Sequence, residues 1–368
     1  MRILHVVKGR EKFTHTVIGL IDRHFNVLEH EVVYLSDSKN KSYIRQDYHL
    51  AQSELLLRSS KDVISIFRLI KGCRNYDYIM FHSLLLPSLL KFMVALNREI
   101  LHKFVWIEFG GDLYCEKQKN LSEKLTDRLG GKCRAFVAIF PPDCDVYKAR
   151  FKNANALVLY APYIDGMQQE KWRSYLPESR LGKRAEGEKL RIQIGHSAAR
   201  EVGHITVLKA LQRFAAYNIE LIIPLSYGDK EYADEVQKYA ERLFGNKAIC
   251  LRKLLPEKEY FELLGTIDIA VFNTTRQIAT DNIFSLLLKN TKLYLPEESV
   301  MYRYFFESGI PVVGISELES CSFEELISPP VIEDPDRLGK FFAEYGEEKD
   351  VVGHWKDVFE QLRLIKEK

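Results

Sequence analysis

The feature that most constrains this chain is an alternation of short apolar β-type runs with helix-patterned segments. It occurs twice and is interrupted once. The first series runs RILHVV, HTVIGLIDRHF, EHEVVYLS, DYIMFH, SLLLPSLLKFMVAL, KFVWIEF, FVAIFPP and NALVLYAP. Apolar residues between Leu55 and Gly72 recur at helical spacing, so one helix is predicted there. The second series runs LRIQIG, IELIIPLSYG, AICLRKLL, IDIAVFN and KLYL with helix patterns between them, and GIPVVGIS adds a late strand. Strands alternating with helices predict an α/β chain with mainly parallel sheets. From Ile164 to Lys189 the sequence is polar and lacks a period, which marks a linker. The expected organisation is one domain over 1–163, a linker over 164–189, a second domain over 190–345 and a closing amphipathic helix over 346–368. A length of 368 residues suits two domains of ordinary size.

Composition removes several function classes. The net charge of +2 argues against a dedicated nucleic-acid binder, whose domain charge is usually strongly basic. The six cysteines form no CxxC pair, so neither a zinc site nor a disulfide framework is expected. The apolar start of MRILHVVKGREK is too short for a signal-peptide core. LLLPSLLKFMVALN is broken by Pro87, Ser88 and Lys91, short of the ~18 apolar residues a spanning helix needs. LLLRSSKDVISIFRLIKGCR sets Arg58, Lys61, Arg68, Lys71 and Arg74 against Asp62, among Ile64, Ile66, Phe67, Leu69 and Ile70. Such a segment can lie on an anionic membrane face, or it can be a core helix with a solvated basic side.

Ligands of doubly wound folds sit beyond the C-terminal ends of strands, so post-strand residues are the candidates. GHSAAREVGH, Gly195 to His204, offers a turn, donors at Ser197 and Arg200, and the start of a helix that can attract phosphate. It lacks the spacing of the known phosphate loops, and a plain strand-to-helix turn is the alternative. NTTRQIATDN places Arg276 and Gln277 after a strand, where a guanidinium can grip a diphosphate or pair with Asp281. FGGDLY puts Asp112 behind two glycines, either as a base for a substrate hydroxyl or as a helix cap. His15 begins the first helix. Asp143-x-Asp145 has a spacing that some sugar transferases use for a divalent metal; a solvated turn is expected instead, and no metal site is assigned.

These loops occur in one order: ILHVV, IMFHSLLLPSLL, VWIEFGGDLY, IQIGHSAAREVGH, LIIPLSYGDKEYADEV, LLPEKEYFELLGTIDIAVFNTTRQ and NIFSLLLKNTKLYL. Together they resemble the TDP-N-acetylfucosamine:lipid II N-acetylfucosaminyltransferase family, also described as 4-alpha-L-fucosyltransferases, from about Arg2 to Val313. The resemblance implies a glycosyltransferase-B fold, two Rossmann-like domains facing across a cleft, with the acceptor on the N-terminal domain and the nucleotide-sugar on the C-terminal one. It implies a final helix that crosses back to the first domain. By position, Gly195, His196, Ser197 and His204 fall on the family's Gly-Asn-Ser…His loop, with histidine in place of asparagine at His196. Tyr227 and Gly228 follow its Pro-x-x-Tyr element, Arg276 and Gln277 its Arg-Gln pair, and Asp112 its Gly-x-Asp-Leu-Tyr. Glu108 has no counterpart. After Arg276-Gln277 the run is IATDN, where some relatives are glycine-rich.

The implied reaction moves a deoxyamino sugar from a nucleoside diphosphate, most simply a dTDP-sugar, to a polyprenyl-diphosphate-linked saccharide. It needs no metal or other cofactor and takes place on the cytoplasmic face of the bacterial inner membrane, where the protein is peripheral. Charge that grows on the leaving diphosphate is expected to meet the Gly195–Ser197 loop, His204 and Arg276. If the reaction inverts, Asp112 is the first choice of base and His15 the second. Two other readings stay open: an epimerase or hydrolase acting on the same nucleotide-sugar, and a non-catalytic scaffold that binds it.

Overall fold

The computed structural model describes residues 1–8, 12–37, 47–57, 59, 62–114, 120–152, 155–163, 187–346 and 348–366. The chain divides into two compact units, Met1–Met167 with Tyr345–Lys368, and Gln168–Glu344. Of the expected linker over 164–189, all but 187–189 lies outside the described residues, as do Arg58 and Lys61.

The first unit is built on β1 (Ile3–Lys8), β2 (His30–Asp37), β3 (Ala51–Leu57), β4 (Tyr78–His82), β5 (Phe104–Ile107), β6 (Ala135–Ala138) and β7 (Leu157–Tyr160). They pair in parallel in the order β3-β2-β1-β4-β5-β6-β7. The order reverses at β1, which is the mark of a doubly wound sheet. β4, β5 and β6 are buried throughout because helices cover both faces, and their sequences are unbroken apolar runs for that reason. The predicted helix over Leu55–Gly72 is two elements instead. β3 takes Ala51–Leu57 and a helix begins at Val63. β3 is an edge strand, exposed along most of its length, so Gln52, Ser53 and Glu54 carry no apolar alternation to betray it.

One face of this sheet is covered by the helices Val63–Gly72 and Ser88–Leu96, which bury Ile66, Leu69, Ile70, Leu90 and Val94 against Phe81, Trp106 and Phe136. The other face is covered by helix Lys12–His24 and by the last helix, Glu348–Lys366. That last helix buries Trp355, Val358, Phe359 and Leu362, each large apolar side chain stabilising by roughly 1.5–3 kcal/mol. Trp355 Nε1 donates to the Pro162 carbonyl at 3.0 Å, and the Tyr78 hydroxyl donates to the Leu362 carbonyl at 2.7 Å.

The second unit carries β8 (Leu190–Ile194), β9 (Ile219–Pro224), β10 (Ala248–Leu251), β11 (Ile269–Val271), β12 (Lys292–Leu295) and β13 (Val313–Gly314). Their parallel order is β10-β9-β8-β11-β12-β13, with its reversal between β8 and β11. The late strand GIPVVGIS contributes only Val313 and Gly314, since Pro311 has no N–H for a ladder. Loops after β8 and β11 therefore stand side by side at the switch point.

Candidate active site

In the second unit the chain leaves β8 at Gly195, whose φ is +64°. A Cβ there would meet Val202 Cγ1 at 2.4 Å and His204 Nε2 at 2.9 Å, so conformation and space both demand glycine. The loop after β8 is then tied to the loop after β9. Ala198 N donates to the Tyr227 carbonyl at 2.8 Å and Asp229 N to the Ala198 carbonyl at 3.1 Å. Gly228 has φ +112°, and a Cβ on it would strike the Ala198 backbone at 2.7 Å. Arg200 takes no part in a ligand-facing cluster: it donates to Asp229 at 2.8 Å, and Asp229 caps helix Lys230–Phe244.

Arg276 joins this assembly from the loop after β11. Its Nε donates to Glu201 Oε1 at 3.1 Å, its Nη2 donates to the same oxygen, and its Nη1 donates to the Gln277 carbonyl at 3.2 Å. Gln277 Nε2 donates to Thr280 Oγ1 at the head of helix Thr280–Leu288. That helix has no side-chain cap, so its first amides are not consumed by one.

His196 and His204 are both buried, and burial holds each well below the usual range, at about 4. For His196 the Arg276 charge and His204 act in the same direction. Both rings are therefore neutral near pH 7, and His204 does not supply the positive charge expected of it. The Tyr232 ring packs edge-on against His204 at 5.7 Å, and helix His204–Leu211 begins after Gly203 without a side-chain cap. Ser197 Oγ lies 3.2 Å from His196 Nε2, and the Tyr227 ring stands edge-on to that of His196 at 6.1 Å. Tyr260 was not assigned to the site from sequence. It lies on helix Glu257–Leu264, close to Gln193 of β8 and to Asn282. The Leu-Pro-x-x-x-Tyr run was the available signal.

In the first unit Asp112 is buried, at 2% exposure. Its Oδ2 accepts Leu84 N at 2.6 Å and Trp106 Nε1 at 2.9 Å, and its Oδ1 accepts Phe109 N at 2.8 Å. A general base needs a lone pair within reach of a substrate proton. Here the carboxylate oxygens are turned inward to N–H groups, so Asp112 pins the turn Phe109–Tyr114 to the loop after β4. His15 is half-buried on helix Lys12–His24, and its ring stacks on Tyr34 at 5.9 Å.

Two buried polar groups lie outside the residues assigned to the site. Glu108, set aside as a candidate, is fully buried one residue after β5 and accepts Ile139 N at 3.1 Å and the amide of Gly110. Asp143 is buried and accepts the Tyr114 hydroxyl at 2.5 Å, whereas Asp145 is exposed and pairs with Lys148 at 3.3 Å. The two carboxylates of Asp143-x-Asp145 thus do not converge on a common point. The other group is a run of imidazoles: His5 Nδ1 lies 3.0 Å from His82 Nε2, and His5 Nε2 lies 3.0 Å from His30 Nδ1. His82 Nδ1 meets the Tyr163 hydroxyl.

A family model described as 4-alpha-L-fucosyltransferase, glycosyl transferase group 56, matches residues 22–323. Among solved structures, sucrose-phosphate synthase from Thermosynechococcus elongatus superposes with a TM-score of 0.70 at 10% identity, over 99% of this chain and 100% of that one. The Anabaena protein HepE, in complex with UDP and glucose, superposes with a TM-score of 0.66 at 12% identity, over 99% of each chain. A glycosyltransferase from Rickettsia africae gives a TM-score of 0.64 at 12% identity over 98% of each. At such identities the likeness establishes the fold, an α/β fold of the glycosyltransferase-B type.

Proposed function

Because the chain belongs to the 4-alpha-L-fucosyltransferase family and is a glycosyltransferase, we propose that it moves an N-acetylfucosamine-like or fucose-like sugar from a nucleoside diphosphate to a lipid-linked saccharide. The donor is a dTDP-sugar and the acceptor a polyprenyl-diphosphate-linked saccharide of surface-polysaccharide synthesis. The observation that carries the reading is the convergence of Arg276 and the Gly195–Ser197 turn at the switch point of the second sheet, closed by the ion pair to Glu201. The HepE protein is in complex with UDP and glucose, and a nucleoside diphosphate in this chain would lie against the C-terminal edge of its second sheet.

Breaking the sugar bond leaves a diphosphate whose charge grows in the transition state, and fixed positive groups and amide dipoles stabilise it most. Arg276 supplies the charge. The uncapped head of helix Thr280–Leu288 supplies amides, and Gln277 orients them. His196 and Ser197, with Gly195 and Gly228 shaping the backbone, form the neutral wall, and Tyr227 reaches over it. His204 packs that wall from behind. On the acceptor side His15 takes the hydroxyl proton, and Asp112 holds the Phe109–Tyr114 turn that positions the acceptor. No metal ion enters this scheme.

The first unit meets the membrane through one layer. Val63, Ile64 and Phe67 of one helix, and Phe92 and Leu96 of the helix packed beside it, are exposed apolar side chains. Arg68 and Lys71 are exposed among them. This combination suits the inner face of an anionic bacterial inner membrane. No helix among the described residues is long and apolar enough to cross a membrane.

The test is release of nucleoside diphosphate from dTDP- and UDP-sugars, with and without a polyprenyl-diphosphate-linked saccharide, in EDTA. Release that requires the lipid acceptor and resists EDTA is the expected result. Release without acceptor identifies a hydrolase, and binding without turnover identifies a scaffold.

A further inference from the structure

Glu108 follows β5, and Asp143 opens helix Asp143–Phe151 after β6. Neither side chain has any exposed surface. Glu108 Oε1 accepts Ile139 N at 3.1 Å and Oε2 accepts the amide of Gly110; Asp143 Oδ1 accepts the Tyr114 hydroxyl at 2.5 Å. Asp143 Oδ2 is buried and receives no N–H or hydroxyl donor. Glu108 holds Ile139 N and Asp143 N donates to the Phe140 carbonyl at 3.0 Å, so both carboxyls stand at one turn and Glu108 is the acid beside Asp143. Two carboxylate oxygens cannot share a buried contact while both carry charge. A proton between them removes one charge and gives the orphaned oxygen its donor.

We propose that Glu108 and Asp143 share one proton and act as positioning residues for the Phe109–Tyr114 turn. The pair grips that turn at both ends, through Gly110 and through Tyr114. Loss of the proton leaves two buried like charges, which drives the helix head from Glu108 and releases both grips. The inference rests on the reading of this turn as part of the acceptor side.

The electrostatic surroundings agree. Burial raises Glu108 well above the usual carboxylate range, and Asp143 and Asp112 add to it. Burial likewise raises Asp143, to about 6, against hydrogen bonds from Glu108 and Tyr114 that lower it. The groups facing the pair are Asp112, Tyr114 and Cys144, with Asp145 and Lys148 farther along the same helix, paired to each other at 3.3 Å. Near the end of that helix, Arg150 is directed to the Leu113 carbonyl and Asp127 instead. A raised carboxyl keeps its proton below its folded value and loses it as pH rises, so order in the turn is lost on the alkaline side.

The test uses the full chain, wild type and D143N, between about pH 6 and 9. The asparagine keeps its oxygen for the Tyr114 hydroxyl and sets its amide donor where Asp143 Oδ2 lies, so it mimics the protonated pair. Wild type is expected to lose about tenfold in kcat as pH rises, with KM for the donor unchanged, and D143N is expected to flatten that limb. Carbon-13 carboxyl NMR of wild type, which needs no folded variant, should show one proton held by the pair at pH 6. Two ionised carboxylates at pH 6, or a D143N profile that follows the wild-type limb, overturns the proposal. If the chain transfers no sugar at all, the NMR signal and hydrogen exchange at Gly110 and Tyr114 still decide the shared proton, so that failure belongs to the functional reading alone.

Discussion

Arg276 Nε donates to Glu201 Oε1 at 3.1 Å, so a cation after β11 is held in place by a carboxylate after β8. The two residues flank the switch point of the second sheet. Arg276→Ala should cost about 2 kcal/mol in donor affinity or turnover, roughly 30-fold. Glu201→Gln keeps the guanidinium and removes only a half-exposed pair, worth about 0–1 kcal/mol, so kcat/KM should fall far less. Donor kcat/KM measured on both variants checks the order; equal losses would mean that the ion pair, not the cation, matters.

Gly195→Ala places a methyl 2.4 Å from Val202 at a φ of +64°. Overpacking and backbone strain together should cost on the order of 2–4 kcal/mol. Urea unfolding measures this directly. A variant as stable as wild type would show that the loop after β8 relaxes freely and is no fixed wall.

Asp112 and His15 separate by experiment. His15→Ala should lower kcat on the order of 100-fold or more with little change in donor KM. Asp112→Asn turns an amide toward N–H donors it cannot accept from, and should cost about 1–3 kcal/mol of stability. Its activity should then follow the folded fraction. A stably folded Asp112→Asn enzyme with a hundredfold lower kcat would return the base to Asp112.

The imidazole run makes the first unit acid-sensitive. Burial depresses His5 well below its ordinary 6.5, His30 to about 4 and His82 to about 3. The unfolded chain therefore binds more protons than the folded one over this range. Stability is full above about pH 6.5 and is lost as pH falls toward 4, by roughly 3 kcal/mol from His30 alone. Unfolding free energy measured against pH should fall over that window, and His30→Phe should make it shallower. A flat profile would mean that the rings are protonated in the native state.

Replacing Ile64 and Phe67 by glutamate exposes charge where apolar side chains now face solvent. Binding to vesicles containing phosphatidylglycerol should drop at least tenfold, while stability changes little because neither residue is in the core. Flotation of the full chain is the readout. Equal flotation of both proteins would move the membrane contact to another surface.

Periodicity and turn chemistry in the sequence were enough to read two doubly wound series, most of their strands and the closing amphipathic helix. Those signals are local: a strand buried on both faces is apolar at every position, as in Tyr78–His82, and a helix repeats its own period. β3 escaped because an edge strand carries a partly solvent-facing, polar sequence. The site loops were legible as post-strand segments, since topology puts ligands there. Their chemistry was not. Whether Arg276 meets Glu201, whether Asp112 faces a substrate or three N–H groups, and whether Glu108 stands beside Asp143 depend on how separate segments pack, as for Leu84 and Asp112, 28 residues apart, and Glu201 and Arg276, 75 apart. Only the tertiary fold sets such distances, and the same burial that creates them decides which groups keep or lose a proton.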